Sequence, residues 1–218
     1  MIQDYKDLID NLNEKLRIII GQDFMLKLST GDGHRLKLFQ NNGNETAINR
    51  LDGGNDSEVL VHKWFKNYYI YVEVKFIFKQ TKLPKAKTYT VIIDQCSISI
   101  SVFKKIYDKI VQLFRAEWDE YSGQQNLHPQ PHWHITSDTS IANTFDEYAR
   151  QVGDDGFMNI FIPEKEQISS LKKFHFAMKG KWEENKSHST SIESSEQVSE
   201  WMKGLLSSIR VELEYIDK

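Results

Sequence analysis

A chain of 218 residues with 39% hydrophobic and 12% aromatic residues can bury a core of its own, which excludes global disorder and fits one domain. The net charge of −3 names no partner. Cys96 is the only cysteine, so an internal disulfide and a cysteine-based zinc site are excluded, and a reducing cytoplasm is the expected compartment.

The first twenty residues carry acids where a signal peptide needs basic residues, and no apolar run approaches the roughly 20 residues that span a bilayer, so no membrane association is expected. Tyr5, Leu8, Ile9, Leu12 and Leu16 recur at three- and four-residue steps, which predicts an amphipathic helix ended by Gly21. Phe24, Leu26 and Leu28, a Gly-Asp-Gly turn, then Leu36 and Leu38 predict a hairpin. Residues 40–57 are polar and rich in Gly, Asn and Asp, a loop with room for a short strand near Ile48. Residues 69–78 and 89–93 are dense in β-branched and aromatic side chains, and 97–102 alternate Ser with Ile or Val; each predicts a strand.

Phe103, Ile106, Ile110, Phe114 and Trp118 have helical spacing, yet 110–119 also alternates as a strand with Arg115, Glu117 and Asp119 on one face. The strand is the preferred reading. Further on, 140–152 and 164–182 have helical periodicity, 185–195 is a polar loop, and a last helix runs from Ser195 to Tyr215. The expected fold is α+β: an N-terminal helix, an antiparallel β-meander and C-terminal helices. One domain is expected, with 1–139 forming helix and sheet and 140–218 a mainly helical part packed on them.

Charge is unevenly placed. Residues 60–115 hold eleven Lys or Arg against three acids, and 116–164 hold Arg150 against nine acids. The basic block includes Trp64, Tyr68, Tyr69, Tyr71 and Phe76, so nucleic acid is a candidate ligand for it. The competing account is a solvated sheet face whose aromatics lie in the core. The acidic block contains the segment Leu127-His-Pro-Gln-Pro-His-Trp-His-Ile-Thr136. Its prolines favour extended chain, and strand alternation points His132 and His134 to the same side. Such a pair can ligate one divalent ion, zinc or manganese, with iron also suited to the set. His128 is a candidate third ligand and Asp119 the candidate carboxylate, with Glu117 and Asp138 also near in sequence. Arg115 and Glu117 are the expected catalytic residues, Arg115 holding a phosphate or carboxylate through its forked guanidinium. A bound ion would make hydroxide for hydrolysis, which suggests a metal-assisted phosphoesterase or nuclease. Histidine pairs on strands also occur as hydrogen-bonded packing, and a row of Arg, Glu and Asp also occurs as a plain charged face. Both alternatives stay open. His175, between two phenylalanines, and Cys96 read as core residues.

His132-Trp-His134-Ile-Thr136 resembles part of the histidine-triad motif of nucleotidyl hydrolases and transferases, which implies His134 as nucleophile. Thr136, however, stands at the third position. His134-Ile-Thr136 also looks like half of the paired motif of two-histidine phosphoesterases, whose other half would be His188-Ser-Thr190 in a loop-like segment. Over roughly residues 113–135 the chain resembles uncharacterised bacterial proteins in which an Arg-x-Glu-Trp-Asp strand precedes a His-Pro-x-Pro-His-Trp-His segment. That resemblance implies a bacterial protein encoded among mobile or phage-defence genes and brings no activity with it. A non-catalytic subunit docked on a protein partner, or a homo-oligomer, is the alternative to the hydrolase, with the charge reversal orienting the contact.

Overall fold

The computed structural model describes residues 5–32, 35–40, 42–50, 56–82, 89–106, 108–119, 131–135, 176–177 and 195–217. The opening helix, α1 (Tyr5–Ile20), buries Leu12, Leu16 and Ile20 and leaves Ile18 73% exposed. It ends where the Gly21 N–H donates to the Arg17 carbonyl at 3.2 Å. Asn13 fastens α1 to the first strand. Its amide donates to the Leu26 carbonyl at 3.1 Å, and its oxygen accepts the Leu26 N–H at 2.7 Å.

The strands are β1 (Leu26–Asp32), β2 (Arg35–Gln40), β3 (Glu45–Asn49), β4 (Ser57–Phe65), β5 (Tyr68–Lys82), β6 (Tyr89–Ile106), β7 (Lys109–Asp119), β8 (His132–Ile135) and β9 (Phe176–Ala177). Every pairing among them is antiparallel, in the order β1-β2-β5-β6-β7-β8-β9. The long strand β5 carries β6 on one edge and two shorter strands on the other. There β4 pairs with residues 68–70 and β2 with residues 73–77, and among the described residues β3 pairs with β4 alone. The last helix, α2 (Ser195–Ile216), completes the expected α+β architecture.

Alternation divides the sheet into two faces. Leu36, Leu38, Val72, Val74, Phe76, Cys96, Ile98, Ile100, Ala116 and Trp118 enter one core with Leu12 and Leu16 of α1 and Val198, Met202, Leu206, Ile209 and Leu213 of α2. The α2 residues recur at steps of three and four, so one stripe of the helix meets the sheet. Lys15 of α1 is ion-paired with Glu196 and Glu200 of α2, and Lys104 pairs with Asp217 at 2.9 Å. A smaller cluster of Ala47, Val61, Tyr69 and Phe103, with Tyr71 and Ile110 against it, packs the β3–β4 hairpin onto the other face. Most of the rest of that face is polar, with Phe39 opposite Glu73 and Ile77 opposite Arg35 as apolar exceptions.

Most expected elements are present, including the strand over 110–119 and the short strand near Ile48, which is β3, and three differ. Residues 89–93 and 97–102 are parts of one 18-residue strand. Asp94 is the extra residue between the Ile77–Gln95 and Phe78–Ile93 pairs, a bulge that absorbs the break in alternation. The strand β4 has no counterpart in the sequence pattern, because its apolar residues do not keep to one face. Leu60 is 44% exposed, whereas the consecutive Val61 and His62 are both buried. The expected helix over 164–182 is corrected at 176–177, where Phe176 and Ala177 pair with Trp133 and His132 as β9. Local apolar spacing there is overridden by the unpaired edge of β8. The remainder of that segment, and the expected helix over 140–152, lie outside the described residues.

Four of the five aromatics named in the basic block, Trp64, Tyr68, Tyr69 and Phe76, are buried, and Tyr71 is half-buried against the smaller cluster. Among the described residues no helix is long and apolar enough to cross a membrane. Truncating the fully buried Leu16 to Ala is expected to cost about 2–5 kcal/mol in urea denaturation, while Ile18→Ala stays within about 0.5 kcal/mol of the parent.

Candidate metal centre

Three adjacent strands build the site through their register. Arg115 and Glu117 of β7 lie opposite Ser101 and Ser99 of β6 on one side. On the other they lie opposite His134 and His132 of β8. Directly paired residues share a face, so both imidazoles, the guanidinium and the carboxylate emerge together on the polar face. The intervening Trp133 turns the opposite way and meets Phe114 edge-on at 5.5 Å. Because β9 covers the outer edge of β8, the histidine strand is not the end of the sheet. His132 is 1% and His134 6% exposed.

The two histidine Nε2 atoms are 2.7 Å apart. Oε2 of Glu117 is 2.8 Å from Nε2 of His134 and 3.6 Å from Nε2 of His132. The three donor atoms all lie within 4.8 Å of one another. Two imidazole nitrogens this close cannot both point an N–H at the other, and three converging lone pairs repel. A proton carried by one of the nitrogens relieves this repulsion, and the group could also hold a metal ion. Two imidazoles and a carboxylate are a donor set suited to zinc, manganese or iron.

Arg115 determines how Glu117 is presented. Its Nε is 2.7 Å from Oε1 of Glu117, and its Nη1 donates to the Arg50 carbonyl at 2.6 Å. One carboxylate oxygen is thus engaged by the guanidinium while the other faces the imidazoles. The segment after β3 is itself fixed, since the Arg50 N–H donates to Oε1 of Gln112 at 2.6 Å and Ser101 Oγ donates to Oδ1 of Asn49 at 2.7 Å. Burial raises the Glu117 pKa, but hydrogen bonds from His132 and His134 and the charge of Arg115 outweigh it. The carboxyl is held far below the usual carboxylate range.

His132 and His134 stand together as the sequence suggested, and Glu117, expected to be catalytic, is the carboxylate that joins them. Asp119, the expected ligand, is on the same strand face but opposite Ser97, one row beyond; it is not among the three converging groups. Arg115 is 3% exposed and held by protein atoms, which makes it a positioning residue rather than an open phosphate clamp. His128, Asp138, His175 and His188 lie outside the described residues. The bracing by Asn49, Arg50, Ser101 and Gln112 has no sequence signal, because it depends on a main-chain carbonyl and on register. Buried His62, 3.6 Å from Asp23 and edge-on to Phe24, was also not singled out. No family model matches the chain, and comparison with curated proteins and with solved structures found no match.

A carboxyl whose pKa is depressed in the folded state stabilises the fold above its unfolded pKa of roughly 4.3, and that contribution fades as pH falls below it. Glu117→Gln is therefore expected to be clearly less stable than the parent at neutral pH, by about 3 kcal/mol, since buried Arg115 loses its counter-charge. The gap should narrow as pH is lowered through about 4 in denaturation series on both proteins. A gap that stays constant with pH would show that the Glu117 charge contributes nothing.

Proposed function

We propose that this protein is a metal-dependent hydrolase of phosphate esters in which His132, His134 and Glu117 hold the ion. The observation that carries the reading is the convergence of three ligand atoms of these types within 4.8 Å, with both imidazoles buried. A divalent ion held by these three groups would supply Lewis acidity, lowering the pKa of water for hydrolysis. The chain's own part is to hold the donors in place. The β7–β8 ladder sets their spacing, Arg115 keeps Oε1 of Glu117 occupied, and burial of the imidazoles strengthens their field. Support for a phosphate substrate comes from Lys37 and Lys75, cations on the same sheet face.

Elemental analysis of protein purified without chelators tests the reading. One zinc, manganese or iron per chain is expected. At a free-metal concentration near a hundred times Kd, it should stabilise the fold by about 2.7 kcal/mol. His132→Ala with His134→Ala should abolish binding and the hydrolysis of a small chromogenic phosphodiester while far-UV circular dichroism is retained. A parent protein that binds no metal under these conditions would mean that the triad shares protons instead.

A further inference from the structure

We infer that the polar face of the sheet binds the backbone of a single-stranded nucleic acid, with Lys37 and Lys75 gripping phosphates upstream of the Glu117–His132–His134 centre. The inference deepens the hydrolase reading, on which it rests for the site of cleavage. On this face β6 contributes the small side chains Ser97 and Ser99, between Glu73 and Lys75 of β5 and Glu117 and Asp119 of β7. Large residues flanking small ones make a trough along the strand. At the Ser97 end it opens into a cavity of about 430 Å³ whose lining includes Arg35, Lys37, Lys75, Gln95, Ser97 and Asp119.

The cations in that cavity are gathered rather than scattered. Lys37 and Lys75 are direct cross-strand neighbours, and both reach the single carboxylate of Glu73 at 2.8 Å. Their side chains are 40% and 52% exposed, so their remaining N–H donors are open to a ligand. Arg35 lines the same cavity as Lys37 and Lys75, so three cations gather there with Asp119, beside Glu73. Glu117 is balanced by Arg115, so an ion at the centre would leave the far end of the trough positive as well.

Distance selects the ligand. Lys75 and Glu117 are two strands and one row apart, roughly 12 Å at ordinary strand spacing. A single phosphate cannot bridge that span, whereas consecutive phosphodiesters of an extended strand can. Of the aromatics that could stack bases, Trp64, Tyr68, Tyr69 and Phe76 are buried in the cores, and half-buried Tyr71 packs against the smaller one. Recognition is then of backbone charge, tolerant of base sequence.

The test is fluorescence anisotropy of a labelled oligothymidylate of about fifteen nucleotides, long enough to span the face, titrated with the full chain at several salt concentrations. Lys37→Ala with Lys75→Ala should weaken binding about tenfold and reduce the salt slope by roughly 1.4, the loss of two phosphate contacts on a single strand. Glu73→Gln should tighten it by about threefold, a change that loss of fold cannot imitate. Thymidine monophosphate should compete poorly. Lysine-dependent binding without cleavage supports the trough and overturns the hydrolase reading alone. Affinity unchanged in both variants, or monophosphate competing as well as the oligomer, overturns the inference.

Discussion

Glu117 is shared between two unlike partners, and the polar face is organised around that sharing. A carboxylate with only 20% of its side chain exposed is costly unless opposite charge and donors surround it. Arg115 supplies the charge on one oxygen, and the imidazoles converge on the other. The arrangement is reciprocal: without Glu117, Arg115 would keep the Arg50 carbonyl but lose its counter-ion, and two imidazole nitrogens would face each other at close range. A buried charged network of this kind adds little net stability over apolar packing. Its physical consequence is that each member has one favourable position, which is what a metal centre requires of its ligands.

The sheet converts this local balance into fixed geometry. Alternation sends Ala116, Trp118 and Trp133 toward the helix-covered core while Arg115, Glu117, His132 and His134 go the other way. Close packing on the first side thereby restrains the polar residues on the second. Slipping β8 by one residue would exchange the faces of Trp133 and the histidines, burying polar rings in the apolar core. The β3–β4 hairpin adds a further restraint, since the main chain at Arg50 is held by Gln112 and in turn holds Arg115. Ser97 and Ser99 leave space beside the centre where bulkier residues of β6 would close the trough.

Much of this was legible in the sequence, and the limits have physical causes. The α1 stripe, the extent of α2, the Ser-Ile alternation of β6 and the His-x-His spacing are each set by one period within one element. Both Glu117 and Asp119 were placed on the right strand face by the same rule. Which of them meets the histidines depends on β7–β8 register, and no local pattern encodes how a strand slides against its neighbour. The same limit hid β9, whose two residues are strand only because β8 offers an edge, and β4, whose side chains serve two cores at once. Arg115 reads as a ligand contact because its forked guanidinium suits phosphate or carboxylate. Its 3% exposure and its protein partners could be learned only from the fold.

X-ray absorption spectroscopy at the zinc edge, on protein loaded with one equivalent, tests the central claim most directly. The account predicts imidazole scattering from two nitrogens and one short carboxylate oxygen, all at about 2.0–2.2 Å. It also predicts loss of that pattern when Glu117 or either histidine is replaced. A shell of oxygens without imidazole scattering, unchanged by those replacements, would contradict it.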